Sequence, residues 1–388
     1  MDSFPCRITH LQLLPILSGV QRVTLDELQR LPESFHRLLI CKGEGDLTVE
    51  ARTHGVEVLT APALERDIRP LADGRALWEL WRFFHAGDID VVHTHSSKTG
   101  VLGRLAARLA GVPCIVHTVH GFAFPAARSR LQACLFQAME WLGGRCAHRV
   151  ICLHEEDARI CIQQLGLPPT KVLVLPNGVD LEKYCPPGPE EQAALRCRLR
   201  LPQDRTLITM VGRLWEQKDP GCLIDAYCAL WEAGDPGADL VIVGDGELQP
   251  ALQVGVERAG LNEHVHFLGW RSDTPALLRA SDLFVLPSRW EGMPLAILEA
   301  MATGLAVVVS DIPGNRHLVT CDELGARFPA GNHQALSKVL AHLLACPETR
   351  ARLGRSARHH VETHHDIASR VRRLEALYRE VLQGHAKR

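Results

Sequence analysis

Almost from end to end, short runs of consecutive apolar residues alternate with longer stretches in which apolar residues recur every three or four positions. The runs suit strands buried on both faces, and the recurrences suit helices with one buried side. The chain therefore reads as βα units building parallel sheets. In the first half the spacing predicts strands at 8–14, 37–41, 56–59, 90–93, 114–119, 149–153 and 172–175. Leu131, Cys134, Leu135, Ala138, Met139 and Leu142 predict one apolar face on the helix that precedes residue 149.

The rhythm breaks at Cys-Pro-Pro-Gly-Pro-Glu, residues 185–190, which predicts a linker. Strands resume at 207–212, 239–243, 265–268, 283–287 and 305–310, with helices after Asp219-Pro220, Gly246, Ser272, Pro294 and Pro313. Asp219 suits an N-cap and Pro220 a first helical position. From Asn332 onward the pattern is helical, and its last helix, about 367–382, is amphipathic and Arg-rich. At 388 residues the chain exceeds one ordinary core and suits two domains, which we place at 1–185 and 186–366. Each is an α/β, Rossmann-like unit, a class in which ligands bind beyond the carboxyl ends of the strands.

Composition narrows the function classes. Hydrophobic content of 46% with 23% charged residues excludes wholesale disorder, and a net charge of -2 gives no bulk attraction to nucleic acid. The 13 cysteines are scattered without CxxC or zinc-ligand spacing, which predicts reduced thiols in the cytoplasm. Residues 1–14 contain polar and charged breaks and read as a strand, not a signal peptide. No stretch reaches the roughly 20 apolar residues that span a bilayer. Between Val91 and Val150, Glu140 is the only acid against Lys98, Arg104, Arg108, Arg128, Arg130, Arg145 and Arg149. That run reads either as a solvated helix surface or as a face for anionic lipid or a diphosphate-linked acceptor.

Four segments offer chemistry. In Leu283-Phe-Val-Leu-Pro-Ser-Arg-Trp-Glu-Gly-Met-Pro-Leu, a buried strand leads through a loop holding Glu291 into a helix starting near Pro294. The free amides near Met293, Pro294 and Leu295 predict a phosphate site, and Glu299 lies about two turns into the helix. Phosphate-binding amides flanked by two carboxylates suit a ligand with both phosphate and hydroxyl groups. A loop acid beside an ordinary helical Glu is the plainer alternative. Arg213 and Lys218 follow another strand, where two cations can stabilise charge growing on a departing diphosphate. His120, beside Gly121 at a strand end, can donate to a sugar hydroxyl, or be an ordinary buried histidine. Gly19 opens the first strand-to-helix turn and allows close approach of a diphosphate.

Together these segments resemble family 4 of the retaining glycosyltransferases. Glu291 through Glu299 followed by Ala-Met-Ala is the most specific string. Gly212-Arg-Leu-x-x-x-Lys218, Pro176-Asn-Gly-Val-Asp180 and Val241-Ile-Val-Gly-Asp-Gly246 accompany it. Val92-His-Thr-His-Ser-Ser-Lys98 and Thr118-Val-His-Gly121 look like members that build bacterial surface polysaccharides. The resemblance implies the GT-B fold, two Rossmann-like domains facing across a cleft, with the last helix (367–388) packed back on the first. It implies a nucleotide-sugar donor, UDP-linked by preference, and a lipid-linked or saccharide acceptor. It further implies that Arg213 and Lys218 bind the diphosphate, Glu291 the transferred sugar and Glu299 the ribose. The amides at Met293–Leu295 would hold phosphate or sugar oxygens, Leu268–Arg271 would lie beside the base, and His120 and Gly19 would reach in from the first domain. The first glycine turn departs from the pattern, reading Ser18-Gly19 where a double glycine is frequent.

Other signals fall away. Gly244-Asp-Gly-Glu-Leu-Gln249 lacks the third glycine of a dinucleotide fingerprint, and neither GxxxxGK[ST] nor HExxH occurs. His93 with His95, and the His359, His360, His364 and His365 group, lack carboxylate or thiolate partners at metal-ligand spacing, so no metal is expected. A sugar-nucleotide epimerase and a catalytically silent sugar-binding subunit remain as alternatives. Donor turnover that requires an added acceptor separates a transferase from both.

Overall fold

The computed structural model describes residues 6–122, 124 and 129–386, so Arg128 of the basic run lies outside the described residues. The first elements are β1 (Cys6–Leu11), α1 (Gly19–Arg30), β2 (Phe35–Cys41), α2 (Asp46–Thr53), β3 (Glu57–Thr60), α3 (Pro70–Ala86) and β4 (Val91–His95). They continue with α4 (Ser97–Leu109), β5 (Cys114–Val119), α5 (Arg130–Cys146), β6 (Arg149–Cys152), α6 (Glu155–Arg159) and β7 (Val172–Val174). Next come α7 (Pro189–Leu199), β8 (Thr206–Val211), α8 (Pro220–Glu232), β9 (Ala238–Val243), α9 (Gln249–Arg258), β10 (Val265–Phe267) and α10 (Thr274–Ala280). The last are β11 (Leu283–Leu286), α11 (Leu295–Ala302), β12 (Ala306–Ser310), α12 (Pro313–Arg316), β13 (Ala326–Phe328), α13 (His333–Ala345), α14 (Pro347–His364) and α15 (Ile367–Ala386).

The strands form two sheets, β3-β2-β1-β4-β5-β6-β7 and β10-β9-β8-β11-β12-β13. All neighbours run parallel. The central strands are buried throughout, as β4, β5, β11 and β12 show, which explains their unbroken apolar runs. In each sheet the order reverses beside its first strand, at β1/β4 and at β8/β11. Crevices form there beyond the strand ends.

The chain divides into Met1–Asn177 with Ile367–Arg388, and Gly178–Asp366. The dividing point is therefore eight residues before the proline-rich break. Prolines 186, 187 and 189 punctuate a segment already docked on the second unit, not a free linker. Tyr184 Oη donates to Glu299 at 2.8 Å, and Arg358 Nη1 donates to the Tyr184 carbonyl at 2.7 Å. Within the first unit, Ile367, Val371, Leu374 and Tyr378 of α15 share one core with Ile8, Leu25, Val91 and Val116.

Three local expectations change. Strand β13 was not predicted, because three residues ending before Pro329 leave too short an apolar run. Asp219 and Pro220 take the N-cap and first positions of α8, but Asp219 sits at φ 47° without a side-chain capping bond, and its carboxylate takes Arg289 Nε at 3.1 Å. The apolar residues of α5 do not form a core face. Only Glu140, Gly143 and Gly144 of that helix are buried, while Leu131 is 82% exposed and Leu135, Trp141 and Leu142 are exposed too. The helix packs through its glycines: a Cβ on Gly143 would stand 2.5 Å from Arg104 Nη2 and one on Gly144 2.8 Å from Leu167 Cδ1, and Arg104 pairs with Glu140 at 3.1 Å.

The basic run is also partly neutralised. Besides Arg104, Lys98 pairs with Asp73 at 2.5 Å and Arg149 with Glu380 at 2.6 Å. All thirteen cysteines are free. Among the described residues, no helix is long and apolar enough to cross a membrane.

Candidate active site

In the second unit, the carboxyl edge of β8 and β11 gathers most of the predicted donor residues. The loop after β11 carries Glu291, whose side chain is 7% exposed. Lys218, in the turn between β8 and α8, forms an ion pair with Glu291 Oε1. Ser288 Oγ donates to the same oxygen at 2.7 Å, and Gln217 Nε2 lies 3.4 Å from Oε2. Ser310 Oγ donates to the Ser288 carbonyl, and Asn315 Nδ2 reaches Ser310 Oγ at 3.0 Å. The Glu291 carboxylate is thus held from three sides.

Backbone close packing makes this edge possible. A Cβ on Gly314 would lie 2.4 Å from the Glu291 carbonyl oxygen, so only glycine lets α12 support the loop. Gly244, at φ 133°, meets the Gly212 carbonyl in the same way. Arg213 lays its guanidinium over the Trp215 ring, 4.6 Å from the centroid, and among the described residues no carboxylate pairs with it.

The free first-turn amides lie one position further along than the sequence pattern suggests. Helix α11 begins at Leu295 with Pro294 as its cap; Met293 is buried, and Pro294 has no N–H. The first-turn amides are those of Leu295 and Ala296, since Ile297 N already donates to the Pro294 carbonyl at 3.3 Å. Glu299 lies on α11 and accepts from Tyr184. Leu268 donates its amide to the Ile242 carbonyl at 2.9 Å beside β10, and Arg271 is bidentate to Asp273 at 2.8 and 2.7 Å.

In the first unit, Gly19 is the first residue of α1, and a Cβ there would meet nothing within 4 Å. His120 follows β5 and is hydrogen-bonded through Nε2 to His95 Nδ1 at 3.1 Å. His95 Nε2 continues to His10 Nδ1 at 3.0 Å. Sequence spacing shows His93 and His95 without a carboxylate; the fold supplies Glu27 from α1, 3.9 Å from His10 Nδ1. Burial pushes His10 and His120 down to about 3, with the nearby Arg370 charge adding to it, and holds His93, His95 and His117 well below the usual imidazole range.

These histidines fold neutral, whereas in the unfolded chain they charge near pH 6.5. The unfolded state therefore binds more protons below that pH, and stability present above it is lost as the pH falls toward 3. Urea unfolding should show a lower midpoint at pH 5 than at pH 7. An unchanged midpoint would contradict a neutral histidine cluster.

Ser288, Gln217, Gly314 and Tyr184 were not singled out by sequence. Ser288 and Gln217 adjoin Glu291 and Lys218 in the chain, a signal that could have found them. Tyr184 lies 115 residues from Glu299, and nothing in the sequence links the two.

The sequence profile described as Glycosyltransferase Family 4 matches residues 17–183, and that described as Glycosyl transferases group 1 matches 191–360. The chain is 48% identical over 316 residues, 81% of each protein, to the UDP-Gal:alpha-D-GlcNAc-diphosphoundecaprenol alpha-1,3-galactosyltransferase of Escherichia coli. This chain belongs to the family 4 glycosyltransferases. Among solved structures, this glycosyltransferase resembles Anabaena Alr3699/HepE in complex with UDP and glucose, with a TM-score of 0.84 and 21% identity. That match covers 97% of this chain and 100% of the other. Sucrose-phosphate synthase from Thermosynechococcus elongatus follows, with a TM-score of 0.81, 19% identity and coverage of 98% and 100%. Both are likenesses of fold, and they agree with two Rossmann-like domains.

Proposed function

We propose that this glycosyltransferase moves a hexose from a UDP-sugar, with retention of anomeric configuration and without a metal, to a sugar carried on a polyprenyl diphosphate. The step would serve bacterial surface polysaccharide synthesis. The observation that carries the donor side is the Lys218–Glu291 pair beside the start of α11. It sets a cation for a leaving diphosphate and a carboxylate for sugar hydroxyls at one point. Arg213 and Lys218 take the diphosphate, Glu291 the transferred sugar, and the Leu295 and Ala296 amides the phosphate oxygens. Met293 and Pro294 shape that loop. Glu299, steadied by Tyr184, takes the ribose, and the stretch holding Leu268 and Arg271 lies toward the base. In the first unit, His120 and Gly19 are the residues that would meet a substrate oxygen. Charge growing on the departing phosphate meets fixed cations, and that phosphate takes the acceptor proton as the hydroxyl attacks the face it leaves.

The acceptor assignment draws on the printed activity of the Escherichia coli relative. It also draws on a cavity of about 670 Å³ in the first unit, lined by Leu13, Ile68, Val101, Phe136, Ser96 and Lys98. Arg66, Asp67 and Glu140 line it too, and such a mix of apolar and charged groups suits a lipid that carries a charged head. Beside it, Leu131, Leu135, Trp141 and Leu142 of α5 stand exposed and suit a bilayer surface.

Two outcomes test this reading. Among UDP- and GDP-sugars, a UDP-hexose should give transfer that survives EDTA, because the two cations neutralise the diphosphate. Loss of activity restored by manganese or magnesium would contradict it. The protein should also sediment with anionic vesicles and keep part of that binding at high salt. Apolar contact outlasts charges acting within a Debye length of about 8–10 Å. Leu131→Asp combined with Trp141→Asp should weaken the binding. No vesicle binding, or complete loss in salt, would remove α5 from the account.

A further inference from the structure

On the α1 and α15 side of the first sheet, aliphatic residues give way to polar ones toward the strand ends. Ile8, Val91, Cys114 and Val116 face that core. His10, His93, His95, Thr118 and His120 follow them at alternating positions of the same strands, with His10 opposite His93 and His95 opposite Thr118. His10, His93 and His95 are fully buried, a placement that is costly unless each ring is hydrogen-bonded.

The bonds run in one line. His120 Nε2 meets His95 Nδ1, and His95 Nε2 meets His10 Nδ1, at 3.1 and 3.0 Å. Glu27 Oε2 stands 3.9 Å from His10 Nδ1, while Arg370 donates to Oε1 through Nε at 2.8 Å, with Nη2 at ion-pair distance only. Burial raises the Glu27 carboxyl, and the Arg370 charge beside it opposes this. His93 stands beside the line, with its nitrogens on Tyr378 Oη at 2.7 Å and Thr118 Oγ1 at 2.8 Å.

A neutral imidazole carries one N–H, so the line of three has two directions. In one, His10 Nδ1–H donates to His95, His95 Nδ1–H donates to His120, and His120 keeps its proton on Nδ1. In the other every bond reverses and His10 carries its proton on Nε2. That Nε2 has no hydrogen-bond partner, and neither has Glu27 Oε2. The reversed line would bury an orphan N–H on His10 Nε2. The first direction leaves only an unfilled acceptor, which is the smaller defect.

We propose that Glu27, His10 and His95 are positioning residues that hold His120 as the Nδ1–H tautomer, a fixed hydrogen-bond donor for a substrate oxygen at the strand end. His10, Glu27, His93 and His95 also bring ligand atoms within 4.8 Å of one another. His93 and His95 have both nitrogens engaged, however, and Arg370 occupies Glu27, which is the geometry of a hydrogen-bonded line and not of a cation cage.

Nitrogen NMR of the full chain labelled with ¹⁵N-histidine tests this, with His120 assigned by its loss in His120→Gln. At neutral pH its Nδ1 should be pyrrole-type and its Nε2 pyridine-type, whatever sugar is transferred. In His95→Leu the pattern should mix and kcat/KM should fall on the order of 10-fold, the value of one hydrogen bond to a functional group. His95→Asn, whose amide N–H replaces the Nδ1–H, should restore the pattern and most of the activity. An Nε2–H tautomer in the wild type would overturn the proposal. Equal activity of the two His95 variants at matched melting temperatures, or a stoichiometric metal in the purified protein, would overturn it too.

Discussion

Lys218→Ala is expected to lower kcat about 10²–10³-fold while changing KM far less, the loss typical when one fixed donor to transition-state charge is removed. In the resting protein the Lys218 ammonium is paired with Glu291 at the carboxyl edge of the second sheet. Negative charge on the diphosphate grows as the glycosidic bond breaks, so the cation binds the transition state more strongly than the substrate. The variant keeps its fold, because Ser288 and Gln217 still hold the Glu291 carboxylate. Arg213→Ala should act in the same direction, since its guanidinium is stacked on Trp215 and, among the described residues, no carboxylate neutralises it. Steady-state kinetics checks both, and wild-type kcat in Lys218→Ala would exclude the role.

Glu140→Ala should destabilise the first unit by about 3–5 kcal/mol, the usual consequence of stranding one partner of a buried ion pair. Arg104 and Glu140 are 1% and 6% exposed, so losing the carboxylate leaves the guanidinium charge largely buried. The guanidinium keeps only the Gly100 carbonyl, at 2.9 Å. Arg104→Met combined with Glu140→Leu should be milder, because no charge is left unpaired. Denaturant unfolding compares the two. A Glu140→Ala loss under about 1 kcal/mol would show that the pair is solvated.

The sheets were legible because parallel strands buried on both faces must be continuously apolar. Leu283–Leu286 and Ala306–Ser310 are direct examples. The place of Glu291 and Lys218 at a sheet's carboxyl edge was legible because each follows such a strand. Their contact was not, since the two residues are 73 positions apart and only the β8–β11 pairing joins them. The α5 face misled for a physical reason: apolar periodicity marks a helix face without saying whether protein, lipid or water covers it. Asp219 misled because its carboxylate has a stronger partner in Arg289 than in a backbone amide. The histidine line was hidden because His10 and His95 lie on β1 and β4 and His120 just beyond β5, three strands that only the sheet order makes neighbours.

The most direct test of the central claim is the product formed from UDP-galactose and a synthetic polyprenyl diphosphate carrying N-acetylglucosamine, in the presence of EDTA. The account predicts a product one hexose heavier, with UDP released in equal amount and an α-configured new linkage. Donor consumption without an acceptor, or a β-linked product, would contradict it.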